Sequence, residues 1–432
     1  MTHISRGFDA IREQFRPWYL RNIYFRAFPW RKPPWFEDCW RFTHVPVERC
    51  TDLLDPARPG APDFLIYPMT DWHARIQRSQ FFAKTLAALG HRCFLLNPHL
   101  GREFPAMGRE TPRLARLAQN IYELHVRLPD EPVYHHRRLR ESESKALAEA
   151  VSQLIVAGRL SNVVQLVAFP VWFGLARHIK ARFLTPLIYD CHDQLGGFAG
   201  VAPEIVAQEP ALVAASDVVI CSADRLREHC LLLGASASRC HVIRNAASPS
   251  RVSALPRIVP APGTSPVIGY LGALEDWFDC DAIRAAALAR PDWRFVLAGR
   301  SESRNLRVLA QLPNVSFIGE VSRDQVPGVL AGFDVATIPF TLNPLTLGAD
   351  PIKLYEYLAA GLPVVSARLP ETERFRHYVH YYDGPAGFIE AIATALNGRD
   401  ESKRLQRQGA VKEETWESRC RQILSLLPLP VV

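Results

Sequence analysis

No apolar run in this sequence is long and clean enough to span a bilayer. The most apolar stretch, residues 151–179, is broken by Gln153, Arg159, Asn162, Gln165 and Arg177. A spanning helix would bury each of these at a cost of a few kcal/mol. The first twenty residues alternate charges with single apolar residues and lack the apolar core of a secretory leader,. The nine cysteines (Cys39, Cys50, Cys93, Cys191, Cys221, Cys230, Cys240, Cys280 and Cys420) fall singly, without CxxC or zinc-ligand spacing,. Reduced thiols in a cytoplasmic protein are expected, and no metal. Blocks of like charge and basic-aromatic interleaving of nucleic-acid-binding type are also lacking,. A net charge of +7 nevertheless favours anionic partners,.

What is present is enough apolar material for two cores: 432 residues, 48% of them hydrophobic,. Residues 1–60 form an aromatic and basic extension with no clean period, including Trp18, Tyr19, Trp30, Trp35 and Trp40. They read either as an irregular arm on the first domain or as a membrane-surface contact at the inner face. From Phe64 onward, strand-length apolar runs alternate with helical stretches, the pattern of a parallel sheet with crossover helices,. The strands are placed at 64–67, 93–96, 121–126, 163–168, 187–190, 218–221 and 241–243, and the clearest helices at 77–89, 141–157 and 224–233. A proline-rich segment, 247–266, reads as a linker,. The rhythm restarts with strands at 267–271, 294–298, 315–318, 335–338, 363–365 and 380–382. The expected division is an extension (1–60), a first Rossmann-like domain (61–250), a second (262–401) and a terminal helix (402–432). Two doubly wound domains place a ligand where the carboxyl ends of their sheets face each other.

The segment DPIKLYEYLAAGLPVV (350–365) carries the most chemistry. Asp350 suits an N-cap and Pro351 a first helical position, and Gly361 stops the helix. Lys353, in the first turn, opposes the helix dipole unless an anion sits there, and together with the helix end it makes a phosphate site without a Walker loop. Glu356 lies one turn on, in an apolar helix, and its carboxylate needs partners that two ribose hydroxyls would supply. The plain alternative is an i,i+3 surface pair between Lys353 and Glu356.

This segment resembles the donor-binding helix of GT-B glycosyltransferases of the large retaining group called family 4. IGYLGALEDWFD (268–279), RFVLAGR (294–300) with its continuation to residue 340, and residues 216–247 extend the likeness. The resemblance implies a GT-B fold of two Rossmann-like domains, with Glu356 on the nucleotide ribose and Gly272, Arg300, Asp350, Lys353 and Leu354 around the nucleotide-diphosphate sugar. Three departures stand out. Gly348 replaces an acidic residue that contacts the donor sugar, the usual Arg and Lys after the first C-domain strand are missing from residues 272–277, and Asn245-Ala246 replaces Asn-Gly. Lys353, and after it Arg300, then has to meet the phosphate charge.

On the other side of the cleft, Cys191-His192-Asp193 follows the strand 187–190. The resemblance places His192 on the donor near the reaction centre. Asp193 would orient His192 or act as general base. A satisfied structural histidine is the alternative. The loop 69–78 offers Asp71, Arg75 and Arg78 to the acceptor, Arg78 equally reading as a plain first-turn residue. The expected activity is sugar transfer to an acceptor hydroxyl on a saccharide or lipid-linked acceptor, with no cofactor beyond the nucleotide-diphosphate sugar. A nucleotide-sugar epimerase and an inactive binding module are the rivals.

Overall fold

The alternation of apolar runs and helical stretches folds into two sheets in the computed structural model, which describes residues 42–73, 76–98, 111–128, 135–247, 264–300 and 304–427, with a few positions before residue 42. The first sheet comprises β1 (His44–Pro46), β2 (Phe64–Tyr67), β3 (Cys93–Leu96), β4 (Arg113–Ala118), β5 (Ile121–His125), β6 (Val164–Val167), β7 (Leu187–Cys191), β8 (Val218–Cys221) and β9 (Cys240–Val242). Its order is β1-β4-β5-β3-β2-β6-β7-β8-β9. All pairings are parallel except β1 with β4 and β4 with β5. The second sheet comprises β10 (Val267–Leu271), β11 (Arg294–Ala298), β12 (Val315–Gly319), β13 (Val335–Ile338), β14 (Val364–Ala367) and β15 (Val379–Tyr382), in the order β12-β11-β10-β13-β14-β15. It is parallel throughout.

In the second sheet the chain starts in the middle at β10, runs to one side, and returns to the other side of that strand; in the first sheet it does the same from β2, after laying down the edge strand β1. The order therefore reverses between β2 and β6, and again between β10 and β13. These reversals leave crevices at the carboxyl ends of the strands.

The main helices are α1 (Arg78–Ala88), α2 (Glu141–Ala157), α3 (Phe173–Phe183), α4 (Asp224–Leu232), α5 (Cys280–Ala289), α6 (Ile352–Ala359), α7 (Gly384–Asn397), α8 (Glu401–Ala410) and α9 (Trp416–Ser425). Local chemistry sets their starts. The Asp279 carboxylate caps α5 by accepting the Ala282 N–H at 2.9 Å, and the Glu143 carboxylate accepts the Arg140 N–H at 2.7 Å at the start of α2,.

Three expectations need correction. The strands β1 and β4 carry no expected strand, because neither is an apolar run: β1 is a three-residue edge strand of half-exposed residues, and the Arg113–Ala118 run mixes two buried residues with exposed and half-exposed ones. The extension also ends earlier than residue 60, since β1 pairs with β4 while Val47 and Cys50 are fully buried in the first core. Finally, the stretch after residue 401 is two helices. The Thr415 hydroxyl caps α9, accepting the Ser418 N–H at 3.1 Å, and α9 packs on the first domain. There Trp416 stacks on Phe81 at 4.6 Å and meets Phe82 edge-on, and Cys420 and Ile423 join the layer containing Phe64 and Val164. The expected linker and most of the extension lie outside the described residues.

Candidate active site

The two crevices face each other across a cleft of about 1280 Å³. Its second-domain wall is built first by backbone geometry. Gly272 follows β10 with φ +146° and Gly299 follows β11 with φ +149°. A Cβ on Gly299 would overlap the Gly272 carbonyl oxygen, so the two strand ends touch backbone to backbone,. A Cβ on Gly272 would lie 2.6 Å from Lys353 Nζ. The ammonium group thus reaches from the first turn of α6 into the space that the glycine leaves open. It donates to Tyr270 Oη at 3.1 Å and lies 4.5 Å above the Tyr270 ring and 4.7 Å from the Phe340 ring,. One turn along α6, Glu356 is 3% exposed, lines the cleft and forms an ion pair with Arg323, which follows β12. The i,i+3 pairing of Lys353 with Glu356 is therefore not the arrangement adopted. Arg300 is exposed and also lines this wall.

Asp350 and Leu354 take other places. Pro351 occupies the N-cap position of α6, and no side chain caps it. The Asp350 carboxylate instead accepts the Asn245 N–H at 2.6 Å and the Tyr355 hydroxyl at 2.9 Å, while the Asn245 amide donates to the Asp350 carbonyl at 2.6 Å. Asp350 borders the cleft but ties the end of the first domain to the start of α6. Burial pushes its carboxyl up to about 6, against the lowering effect of the Asn245 N–H,. The Leu354 side chain is in the second core, and its N–H goes to the Pro351 carbonyl at 2.9 Å.

On the opposite wall, His192 and Asp193 follow β7, and both line the cleft. His192 Nδ1 is 3.1 Å from the Asp190 carbonyl oxygen, to which it donates. That leaves Nε2 directed at Asp193 Oδ2, 3.6 Å away. Burial pushes the Asp193 carboxyl up to about 6. Arg78 borders the cleft, but its guanidinium donates to Asp190 at 2.8 Å, to Asn245 Oδ1 at 3.0 Å and to the Ile243 carbonyl at 2.7 Å. At 2% exposure it fastens α1, β7 and the chain beyond β9 together.

Asp71 is buried, and its carboxylate accepts the His73 N–H at 3.1 Å, so it shapes the loop that brings His73 to the cleft. Behind that loop, His73 Nε2 and His125 Nε2 each lie 3.0 Å from Glu123 Oε2, and Asn97 donates to the other Glu123 oxygen at 3.0 Å. Burial alone would raise the Glu123 acid, but the two histidines outweigh it and hold the carboxyl far below its usual range. Asp71, His73 and Glu123 have ligand atoms within 4.8 Å of one another, a set able to accept a cation. Arg75 lies outside the described residues.

Arg323, Phe81, Trp277 and Phe198 also line the cleft and were missed in the sequence. Arg323 packs over the Phe81 ring of the first domain at 4.7 Å, and Phe198 meets Trp277 edge-on at 6.1 Å. Arg323 and Trp277 follow strand ends, a position that sequence reasoning can find. Phe81 and Phe198 carry no such signal. Gly348 is crowded: a Cβ there would lie 3.3 Å from Leu226 and within 3.7 Å of the Leu345 and Pro344 carbonyl oxygens.

Residues 265–398, the second domain, match the family model of the glycosyl transferases group 1. That similarity covers the domain that carries α6 with Lys353 and Glu356. TuaH of Bacillus subtilis (strain 168), named for a glycosyltransferase role in teichuronic acid biosynthesis, is 30% identical to this chain over 264 residues. That match covers 55% of the chain and 66% of TuaH, just under two thirds of its length. Sucrose-phosphate synthase from Thermosynechococcus elongatus superposes with a TM-score of 0.65 at 14% identity, over 84% of this chain and 98% of that one. The Anabaena protein Alr3699/HepE, solved with UDP and glucose, superposes with a TM-score of 0.57 at 16% identity, over 85% and 100% of the two chains. At such identities the fold alone is shared, the GT-B arrangement of two Rossmann-like domains. No helix among the described residues is long and apolar enough to cross a membrane.

Proposed function

We propose that the protein transfers a sugar from a nucleotide-diphosphate sugar to an acceptor hydroxyl, with retention of configuration, in the assembly of a surface polysaccharide or glycolipid. One observation carries this reading: Lys353 and Glu356, one turn apart on α6, stand at the carboxyl end of β10 across the cleft from His192 and Asp193. In this reading Glu356 holds the ribose hydroxyls. Lys353 and the α6 N-terminus meet the diphosphate where charge builds as the glycosidic bond breaks, beside the open backbone of Gly272. Arg300 stands at the rim of the same wall.

Because Lys353 and the helix end neutralise the leaving diphosphate, the transfer step is assigned no metal, and activity should survive EDTA. His192 contacts the donor sugar or phosphate, and Asp193 takes the acceptor proton. Asp71, through His73, shapes the acceptor side. Gly348 presents no side chain where the resemblance implies an acidic sugar contact, so Asn343 and Thr346, on the adjoining cleft wall, are assigned that contact. The positive net charge suits a phosphorylated lipid-linked acceptor and peripheral contact with an anionic inner membrane face,. The kinship with TuaH supports the polysaccharide assignment.

The test is a thermal-shift screen with UDP, GDP, ADP and dTDP, repeated with Glu356→Ala. A ligand at a hundredfold excess over Kd stabilises the folded state by about 2.7 kcal/mol. The expected result is a shift with one nucleotide that the substitution abolishes. A folded protein that responds to none of the four would overturn the reading in favour of a binding module without transferase activity.

A further inference from the structure

Four of the nine cysteines, scattered along the sequence, meet inside the first domain. Cys191 ends β7 and Cys221 ends β8, and the two are paired in register. Cys221 is also in register with Val242 of β9, which puts Cys240, two residues earlier, on the same face of the sheet,. The helix α4 covers that face and contributes Cys230. The thiols of Cys191, Cys221 and Cys230 lie within 4.8 Å of one another. Cys240 Sγ is 3.8 Å from Cys221 Sγ. A zinc ion bound by four thiolates at about 2.3 Å has sulfur atoms about 3.8 Å apart along each tetrahedral edge.

The surroundings are not purely apolar. Glu209 Oε1 lies 3.8 Å from Cys191 Sγ and accepts the Tyr189 hydroxyl at 2.6 Å, and the other Glu209 oxygen pairs with His229 at 3.1 Å. Arg227 donates to the Cys240 carbonyl at 2.9 Å. Two basic residues of α4 thus stand beside the sulfur cluster, where they offset the negative charge that bound thiolates carry.

We propose that Cys191, Cys221, Cys230 and Cys240 form a structural site for a thiophilic cation with a filled d shell, zinc(II) or copper(I), clipping the edge strand β9 and helix α4 to the sheet. The site goes beyond the transferase reading and takes no part in sugar transfer. All four residues are at most 1% exposed, so the ion enters as the chain folds and its ligands lose their protons on binding,. Spacings of 30, 9 and 10 residues match no zinc-ribbon pattern, which is why the sequence alone pointed to isolated thiols.

The experiment is metal analysis of the purified full chain after dialysis against EDTA in reducing buffer. Close to one equivalent of zinc or of copper per chain is expected, the element distinguishing the two ions. Cys221→Ala and Cys230→Ala should lose it, while Cys93→Ala, a buried cysteine in a different layer, keeps it. Should the cluster variants fail to fold, wild-type protein refolded with cobalt(II) decides. Thiolate-to-cobalt charge-transfer bands with tetrahedral d–d absorption support the site, and their absence overturns it. A folded metal-free wild type with nine titratable thiols refutes the proposal, as does a Cys221–Cys240 disulfide that leaves seven.

Discussion

The guanidinium group of Arg323 and the carboxylate of Glu356 are ion-paired on the wall of the cleft, with Arg323 lying across the ring of Phe81 from the other domain. The pair answers the demand that a buried carboxylate makes for partners,.

Removing that partner should destabilise the empty protein more than the loaded one. Arg323→Ala strands Glu356, at a cost of about 2 kcal/mol for a pair in which Arg323 keeps some solvent contact. With saturating nucleotide the deficit should shrink, because ribose hydroxyls then serve the carboxylate. Urea unfolding with and without nucleotide measures both values; equal deficits in the two states would contradict a ribose role for Glu356.

Lys353→Ala should act on the rate. Loss of a preorganised charge at the developing diphosphate corresponds to a fall in kcat of about a hundredfold to a thousandfold, with KM changing by less than about tenfold. Steady-state kinetics separates this from a change confined to KM, which would make Lys353 a ground-state contact only.

Arg78→Met should unfold the protein at lower denaturant rather than alter donor affinity. It leaves Asp190, fully buried, without its cation, at a cost of about 3–5 kcal/mol,. The double variant Arg78→Met, Asp190→Asn should recover part of the loss, and a double-mutant cycle in urea reads the coupling.

Asp350 predicts a pH dependence whose sign follows from burial. Its carboxyl is raised from 3.8 to about 6 in the folded chain, with Glu371 adding to the rise and Tyr355 and Arg78 opposing it. The folded state therefore holds this proton more tightly than the unfolded state. Stability falls as pH rises from about 4 to about 6 and is level above that, by about 3 kcal/mol in all. Asp350→Asn keeps an acceptor for the Asn245 N–H and lacks the titration. The difference in unfolding free energy between wild type and variant, measured across that window, should change by this amount.

Both sheets, and the reversal points that place the cleft, were legible in the sequence because strands buried on two faces are apolar throughout. Phe64–Tyr67, Cys93–Leu96 and Val218–Cys221 show this most plainly. The strands β1 and β4, at and next to the sheet edge, were not legible, since a strand that is partly solvated shares its composition with loops. Within the site, Lys353 and Glu356 announced themselves as charges in an apolar helix, whereas Asp350 misled: a carboxylate before Pro351 reads as a cap, and only the fold reveals Asn245 as its partner. Arg78 misled similarly, because nothing local shows that Asp190, 112 residues later, will meet it. The convergence of the four cysteines is likewise a product of strand register, which spacing along the chain does not encode.

The return of α9 to the first domain has a consequence for synthesis on the ribosome. The layer formed by Phe81, Phe82 and Trp416 stays open until residues 416–425 have emerged, long after the rest of that domain is available. The first domain waits, one flank bare, while the second folds, and the last helix closes the layer. A fragment ending at residue 250 should accordingly expose an apolar flank and aggregate, so neither half of the cleft matures independently of the other.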